Sequence, residues 1–357
     1  MMIHVRVVAT IALLFFCTSC DYNKDSVESI GHRRFDTLTN VSDWKVIEVV
    51  DRTIVVRNGD TVRMLKIIKD GSNIFERMEI DSGSALHYVD YDEVNGVQVL
   101  LNNAVGHVLN IRRSASSPWS SVKVPVTNVE RSKMNASCFV FTSGDILVTF
   151  PDEWYLLNGQ TRQWRVIRRP KTGIFGRPAI VRDVGNSTYL VGFDIGEWGG
   201  DLNRVTVAQS DTPRVETLTD ECCTHIVQLD SQTYLATGGI YHLRYRDHSL
   251  FIVKDGVAIS VATNRVLYDA GPVYDVRVVG KKVLIALGGL GVVQLNIVAT
   301  RRGYRADVQR VYEYKDQYNG VDDRVVGVVS DTMALVSNFD TGISWLPLTP
   351  SYGDTVQ

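Results

Sequence analysis

Seven short stretches of the chain share one pattern: TIVVRNG, VQVLLNN, DILVTFP, TYLVGFD, TYLATGG, KVLIALG and MALVSNF. Their apolar centres, Val55, Leu100, Leu147, Leu190, Leu235, Leu284 and Leu335, are 45, 47, 43, 45, 49 and 51 residues apart. A turn and another short β-rich run precede each one, as in Trp44–Val50, Ala136–Phe141, Ala179–Arg182, His225–Leu229, Val273–Val278 and Val325–Val329. A further run follows, such as Phe251–Val253, Val292–Ile297 or Ile343–Leu346. In the clearest copy, Ser143-Gly144-Asp145, Pro151-Asp152 and the hairpin signal Asn158-Gly159 divide Phe139–Ile167 into four short strands. One such sheet cannot bury both of its faces alone, so the copies must stack on one another.

Recurrence at 40–50 residues with four strands per copy is the sequence signature of a β-propeller. The fold expected is all-β: seven four-stranded antiparallel blades over residues 34–350, with residues 34–38 closing the last blade and 351–357 as a C-terminal tail. A formal net charge of −2 removes the usual electrostatic motive for binding nucleic acid. Beyond the N-terminus no apolar run approaches the ~20 residues of a membrane-spanning helix.

Residues 1–19 read as a signal segment: a short basic start, the apolar run Val7–Phe16, then Cys17-Thr18-Ser19 before Cys20. Small residues directly before a cysteine at this place resemble the lipobox of bacterial lipoproteins. The resemblance implies cleavage before Cys20 and its lipidation, with membrane attachment through the acyl chains (palmitate among them). Asp21 after that cysteine implies the periplasmic side of the inner membrane in lipoprotein sorting, the outer membrane being the other address. Residues 20–33 are polar and read as a flexible tether.

Candidate ligand-binding residues fall in two glycine-rich stretches expected to join second and third strands. In Gly192–Asp201, Trp198 offers a stacking surface, and Asp194, Glu197 and Asp201 offer hydrogen-bond acceptors or cation ligands. In Gly238–Asp247, Tyr241, His242 and Arg244 interleave aromatic and cationic groups suited to an anion, a sugar or a protein surface. Ahead of the fifth copy's innermost strand, Cys222-Cys223-Thr224-His225 places His225 near the channel mouth. For the cysteines left after processing the readings are a Cys222–Cys223 disulfide with Cys138 free, Cys138 bonded to one of the two, or no bond at all, the vicinal or unpaired state being favoured. Charged residues Arg131, Lys133, Arg177, Asp269, Asp275, Asp322, Asp323 and Arg324 are expected in loops between copies.

There is no GxSxG, HExxH, P-loop or CxxC motif. Neither a metal nor a cofactor is expected, and enzymatic activity is left open. In anchoring and architecture the chain resembles bacterial β-propeller lipoproteins, which implies a monomeric envelope scaffold that holds a protein or glycan on its loop face. The alternatives are a periplasmic immunity or inhibitor lipoprotein, and a carbohydrate hydrolase or lyase centred on Asp194, Glu197 and His225.

Overall fold

The computed structural model describes residues 27–29, 45–50, 53–58, 61–66, 89–102, 106–114, 116–126, 136–168, 178–195, 199–207, 213–242, 245–263, 267, 273–287, 291–313, 324–328, 333–338 and 342–348. Cys20, Glu197, Trp198, Arg244, the closing strand expected at 34–38 and the tail at 351–357 lie outside them.

After β1 (Val27–Ser29), the described strands form six sheets, taken below in chain order as seven antiparallel units of which the fifth and sixth share one nine-stranded sheet with β1. The first holds β2 (Lys45–Val50), β3 (Thr53–Asn58) and β4 (Thr61–Lys66). The second holds β5 (Val89–Val94), β6 (Val97–Asn102), β7 (Val108–Arg112) and β8 (Ser120–Lys123). The third holds β9 (Ser137–Val140), β10 (Ile146–Thr149), β11 (Glu153–Leu157) and β12 (Trp164–Arg168). The fourth holds β13 (Ile180–Gly185), β14 (Thr188–Asp194), β15 (Gly200–Thr206) and β16 (Arg214–Thr219). The fifth holds β17 (His225–Gln228), β18 (Thr233–His242), β19 (Tyr245–Lys254) and β20 (Val257–Ala262). The sixth holds β21 (Val273–Val279), β22 (Lys282–Leu287), β23 (Gly291–Thr300) and β24 (Gly303–Glu313). The seventh holds β25 (Arg324–Val328), β26 (Met333–Asn338) and β27 (Gly342–Pro347).

All seven apolar centres read from the sequence lie on the second strand of a unit. Those strands are near-continuous apolar runs because both of their faces are packed: β10 is buried along its whole length. Outer strands are half in water, and β8, β12 and β16 are mostly exposed or half-buried. The hairpin at Asn158-Gly159 forms by a longer route than a two-residue turn. Asn158 Oδ1 accepts from the Gln160 and Thr161 amides, and Arg162 takes the left-handed conformation at φ 59°.

The core lies between units. Leu101, Ile111, Val140, Ile146 and Tyr155 fill the space between the second and third. Phe141, Trp154, Val191 and Phe193 fill that between the third and fourth. Leu190, Leu202, Ile226 and Ala236 join the fourth to the fifth, Leu235, Ile252, Ile285 and Val293 the fifth to the sixth, and Ala286, Val328 and Ala334 the sixth to the seventh. First strands pack in the cycle β2, β5, β9, β13, β17, β21, β25 and back to β2. That cycle is a ring of units around an axis, which is a β-propeller.

The last strand of the sixth unit has its outer edge covered twice. Val261 and Ala262 of β20 pair with Tyr304 and Arg305 of β24, and β1 pairs with β24 at Val311–Glu313, both in parallel. β1 lies within the stretch expected to be a flexible tether and is ordered there by that edge.

Candidate functional site

The junction of the fourth and fifth units gathers most of the described residues singled out from the sequence. Both ends of Gly192–Asp201 are strand: Asp194 ends β14 and Asp201 is the second residue of β15. Asp194 pairs with Gly200 and Phe193 with Asp201, so the two carboxylates lie on opposite faces of the ladder. Asp194 is exposed and faces the fifth unit, whereas Asp201 is 4% exposed. They do not share a cation site, and among the described residues no group of three or more His, Cys, Asp or Glu is placed to hold a metal.

Glycines at this junction serve close packing. A side chain on Gly200 would run into the Cys222 Cα and the Phe193 carbonyl, and one on Gly238 into the Cys222 carbonyl. The Cys222–Cys223 backbone is threaded between the two units and stitched to both. The Cys223 amide donates to the Phe193 carbonyl (3.1 Å) and the Thr224 amide to the Thr237 carbonyl (3.0 Å).

Cys138, Cys222 and Cys223 are free, buried thiols, the unpaired state among the readings. Cys223 Sγ turns back toward the His225 carbonyl (3.7 Å), while Cys222 lies beside Asp194. Burial, with Asp194 nearby, pushes the Cys222 thiol up to about 12. Burial raises Cys223 further, and burial with Asp90 and Asp92 raises Cys138 well above its ordinary value. Protonated thiols are neither nucleophiles nor metal ligands.

His225 opens β17, and both of its ring nitrogens are engaged. Nε2 donates to the Tyr274 carbonyl on β21 (3.1 Å), and Nδ1 accepts from the Thr224 hydroxyl (2.8 Å). That carbonyl is available because β21 bulges between Val273 and Asp275, leaving Tyr274 outside the ladder. Burial lowers the His225 pKa against the pull of Asp275. The ring therefore ties the fifth unit to the sixth and is not poised for proton transfer with Asp194.

Gly238–His242 and Tyr245–Asp247 are also strand, where a loop was expected. β18 and β19 stay paired from Thr233↔Lys254 to His242↔Tyr245, with Tyr241 opposite Arg246. Their sheet neighbours stop earlier, β17 at Thr237 and β20 at Phe251. The outer half of this hairpin is a two-stranded ribbon projecting past its own unit. The paired ends at His242 and Tyr245 lie on the side of the ring where second strands end and third strands begin.

Two features escaped the sequence reading. One is a set of ties between first strands of adjacent units. The Cys138 and Val140 amides donate to Asp90 Oδ2 and Asp92 Oδ2 (both 2.6 Å). Arg182 Nε donates to the Ile226 carbonyl (3.0 Å), and the Val328 amide to Asp275 Oδ2 (2.7 Å). Asp275 thus sits on an inner strand, not in a loop as expected; of the other charged positions read as loops, Arg324 opens β25 and the rest lie outside the described residues. A carboxylate inside an otherwise apolar first strand was the available signal. The second feature is a cavity of about 310 Å³ on the axis. Val94, Val140, Phe141, Asp183, Gln228 and Val278 line it from where the first strands end, with Arg182 and Arg277. It lies at the end opposite the β18–β19 turn.

The sequence matches no protein-family model, and no curated protein matches it. Solved structures match the fold. The WD40 β-propeller domain of Doa1 aligns with a TM-score of 0.51 at 11% identity, covering 90% of this chain and 95% of that one. The RRP9 WD40 repeats align at 0.54 and 8% identity, covering 86% and 98%. YCF48, in its structure bound to a D1 peptide, aligns at 0.50 and 9% identity, covering 92% and 99%. At these identities the likeness is one of architecture: the chain is an all-β protein with the fold of these β-propellers.

Proposed function

We propose that the chain is a lipid-anchored scaffold of the bacterial cell envelope, a monomeric seven-bladed propeller tethered through Cys20 that holds a protein or glycan partner on its loop face. The observation that carries the reading is the β18–β19 ribbon. It extends five residues past Thr237 on one strand, has no further strand paired to either edge among the described residues, and carries Ile240-Tyr241-His242 and Tyr245-Arg246 in its sequence. Unpaired strand edges accept an added strand, and aromatic and arginine side chains supply the anchoring contacts of most interfaces. A D1 peptide bound to the structurally similar YCF48 is consistent with such a use of the fold. Signal cleavage before Cys20 and the periplasmic address given by Asp21 belong to the same reading.

Catalysis has less support. His225 is committed to Tyr274 and Thr224, and Asp194 and Asp201 face apart.

The test replaces residues 240–247 with a two-residue Asn-Gly turn and purifies parent and variant from native membranes in mild detergent. A protein or glycan recovered stoichiometrically with the parent and absent from the variant, whose circular dichroism is unchanged, is the expected result. Equal recovery with both would place the partner site elsewhere and overturn the ribbon's role.

A further inference from the structure

The axial cavity has no part in the ribbon's role, and its polar groups are unevenly satisfied. The charged residues on its lining are Arg182 and Arg277 against Asp183, so the lining is net positive in a chain whose formal net charge is −2. Much of the remaining wall is apolar: Val94 from the second unit, Val140 and Phe141 from the third, and Val276 and Val278 from the sixth. A volume of about 310 Å³ is at the small end of the range for sites that enclose a small molecule.

Acids near the axis are already committed to backbone. Asp92 accepts from the Glu93 and Val140 amides, Asp275 from the Val276 and Val328 amides, and Asp183 from the Gly185 amide of its own turn. Arg182 is not committed in this way. Its Nε donates to the Ile226 carbonyl (3.0 Å), and because Ile226 is on the same lining, this bond fixes the guanidinium at the cavity wall. A guanidinium has five N–H donors. Those on Nη1 and Nη2 meet no acceptor among the described residues; Asp92 lies within electrostatic reach of Arg182 but forms no ion pair with it. The Tyr234 hydroxyl, on the same lining, also has no hydrogen-bond partner among the described residues. Unmatched donors beside apolar walls are the complement of a ligand with an anionic head and an apolar body.

We infer that the axial cavity is a binding site for a small carboxylate, its head on the Arg182 guanidinium and its apolar body against the valines and Phe141. The planar fork of an arginine matches the two oxygens of a carboxylate, and the single excess positive charge of the lining matches a monoanion. A phosphate dianion would bring a second negative charge beside Asp183 with no cation to match it. The paired ends of β18 and β19 lie at the opposite end of the ring, so this site is separate from the ribbon and stands whether or not the ribbon holds a partner.

Calorimetric titration of the full-length chain in mild detergent tests the site, with butyrate, hexanoate, benzoate and phenylacetate as probes and benzyl alcohol as the neutral counterpart. At least one acid should bind one to one with a Kd below about 1 mM, and benzyl alcohol should not bind. Arg182→Gln, which keeps a donor for the Ile226 carbonyl, should bind that acid about tenfold more weakly or worse. A second measurement needs no variant. Phenylglyoxal modification of Arg182, located by mass spectrometry, should slow about tenfold in the parent when the acid is present at about ten times its Kd. If Arg182→Gln melts well below the parent, the protection experiment decides. No binding by any of the acids, equal binding by benzyl alcohol, equal binding by a folded Arg182→Gln, or modification of Arg182 that the acid leaves unchanged would each overturn the site.

Discussion

A carbonyl only accepts, so Nε2 of His225 carries a hydrogen toward Tyr274, and in the neutral ring Nδ1 accepts from the Thr224 hydroxyl. Asp275 and Asp194 favour the charged ring and Arg182 opposes it, but burial is the largest influence and keeps the folded pKa below 6.5. The unfolded chain therefore takes up this proton first as the pH falls. His225 stabilises the fold fully above its unfolded value, and that contribution declines below pH 6.5 until the folded ring titrates as well. Urea midpoints measured between pH 7.5 and 5 should fall less steeply for His225→Gln than for the parent; parallel slopes would show that His225 adds nothing to the acid sensitivity. Asp92 has the opposite sign. Burial raises its carboxyl despite Arg182 and the Val140 amide, so it favours the fold most at low pH and less as the pH rises through its folded value. At this scale Cys222, His225 and the glycines around them, picked from sequence as candidate binding residues, mark a close crossing between two units, a matter of backbone contact between segments distant in sequence.

Among elements, the first strands carry the consequence of ring geometry. Each must pack against its neighbour around the axis without a shared ladder, so side chains supply what backbone pairing cannot. Asp275 satisfies the amide of Val328, a residue with no exposed surface. Asp275→Ala leaves that donor buried without its partner and should cost about 1–3 kcal/mol, while Asp275→Asn, which keeps an acceptor, should retain most of the stability. Chemical denaturation of the two variants checks this, and similar losses in both would make the carboxylate's charge, not its acceptor, the important property. Second strands were legible from sequence because burial on both faces keeps their centres apolar, with the few buried polar residues, such as Gln98, Asn102 and Thr149, at or next to strand ends. The extent of β14, β15, β18 and β19 was not. Gly192, Gly200, Gly238 and Gly239 lower strand propensity, and a reader of local composition assigns them to loops. Their place in strands follows from the Cys222–Cys223 segment passing against them.

On the scale of the whole molecule, stability is shared around a closed cycle. Each interunit core is built from two consecutive units, and β25 returns to β2. A chain ending after Glu313 loses the seventh unit and strips a packed face from both of its neighbours. Its melting should be broad and shifted far down from the parent's, with exposed apolar surface driving aggregation; a sharp transition near the parent's temperature would mean that the ring tolerates an open gap. The sequence by itself determined the repeat, its period and the all-β class, because apolar alternation and turn residues are local quantities that recur along the chain. Tertiary structure alone decided which acids and which histidine bind backbone across units, that strand runs into both ends of the two glycine-rich stretches, and that the cavity lies opposite the ribbon. Those depend on which segments meet when the ring closes, and no local pattern encodes that meeting.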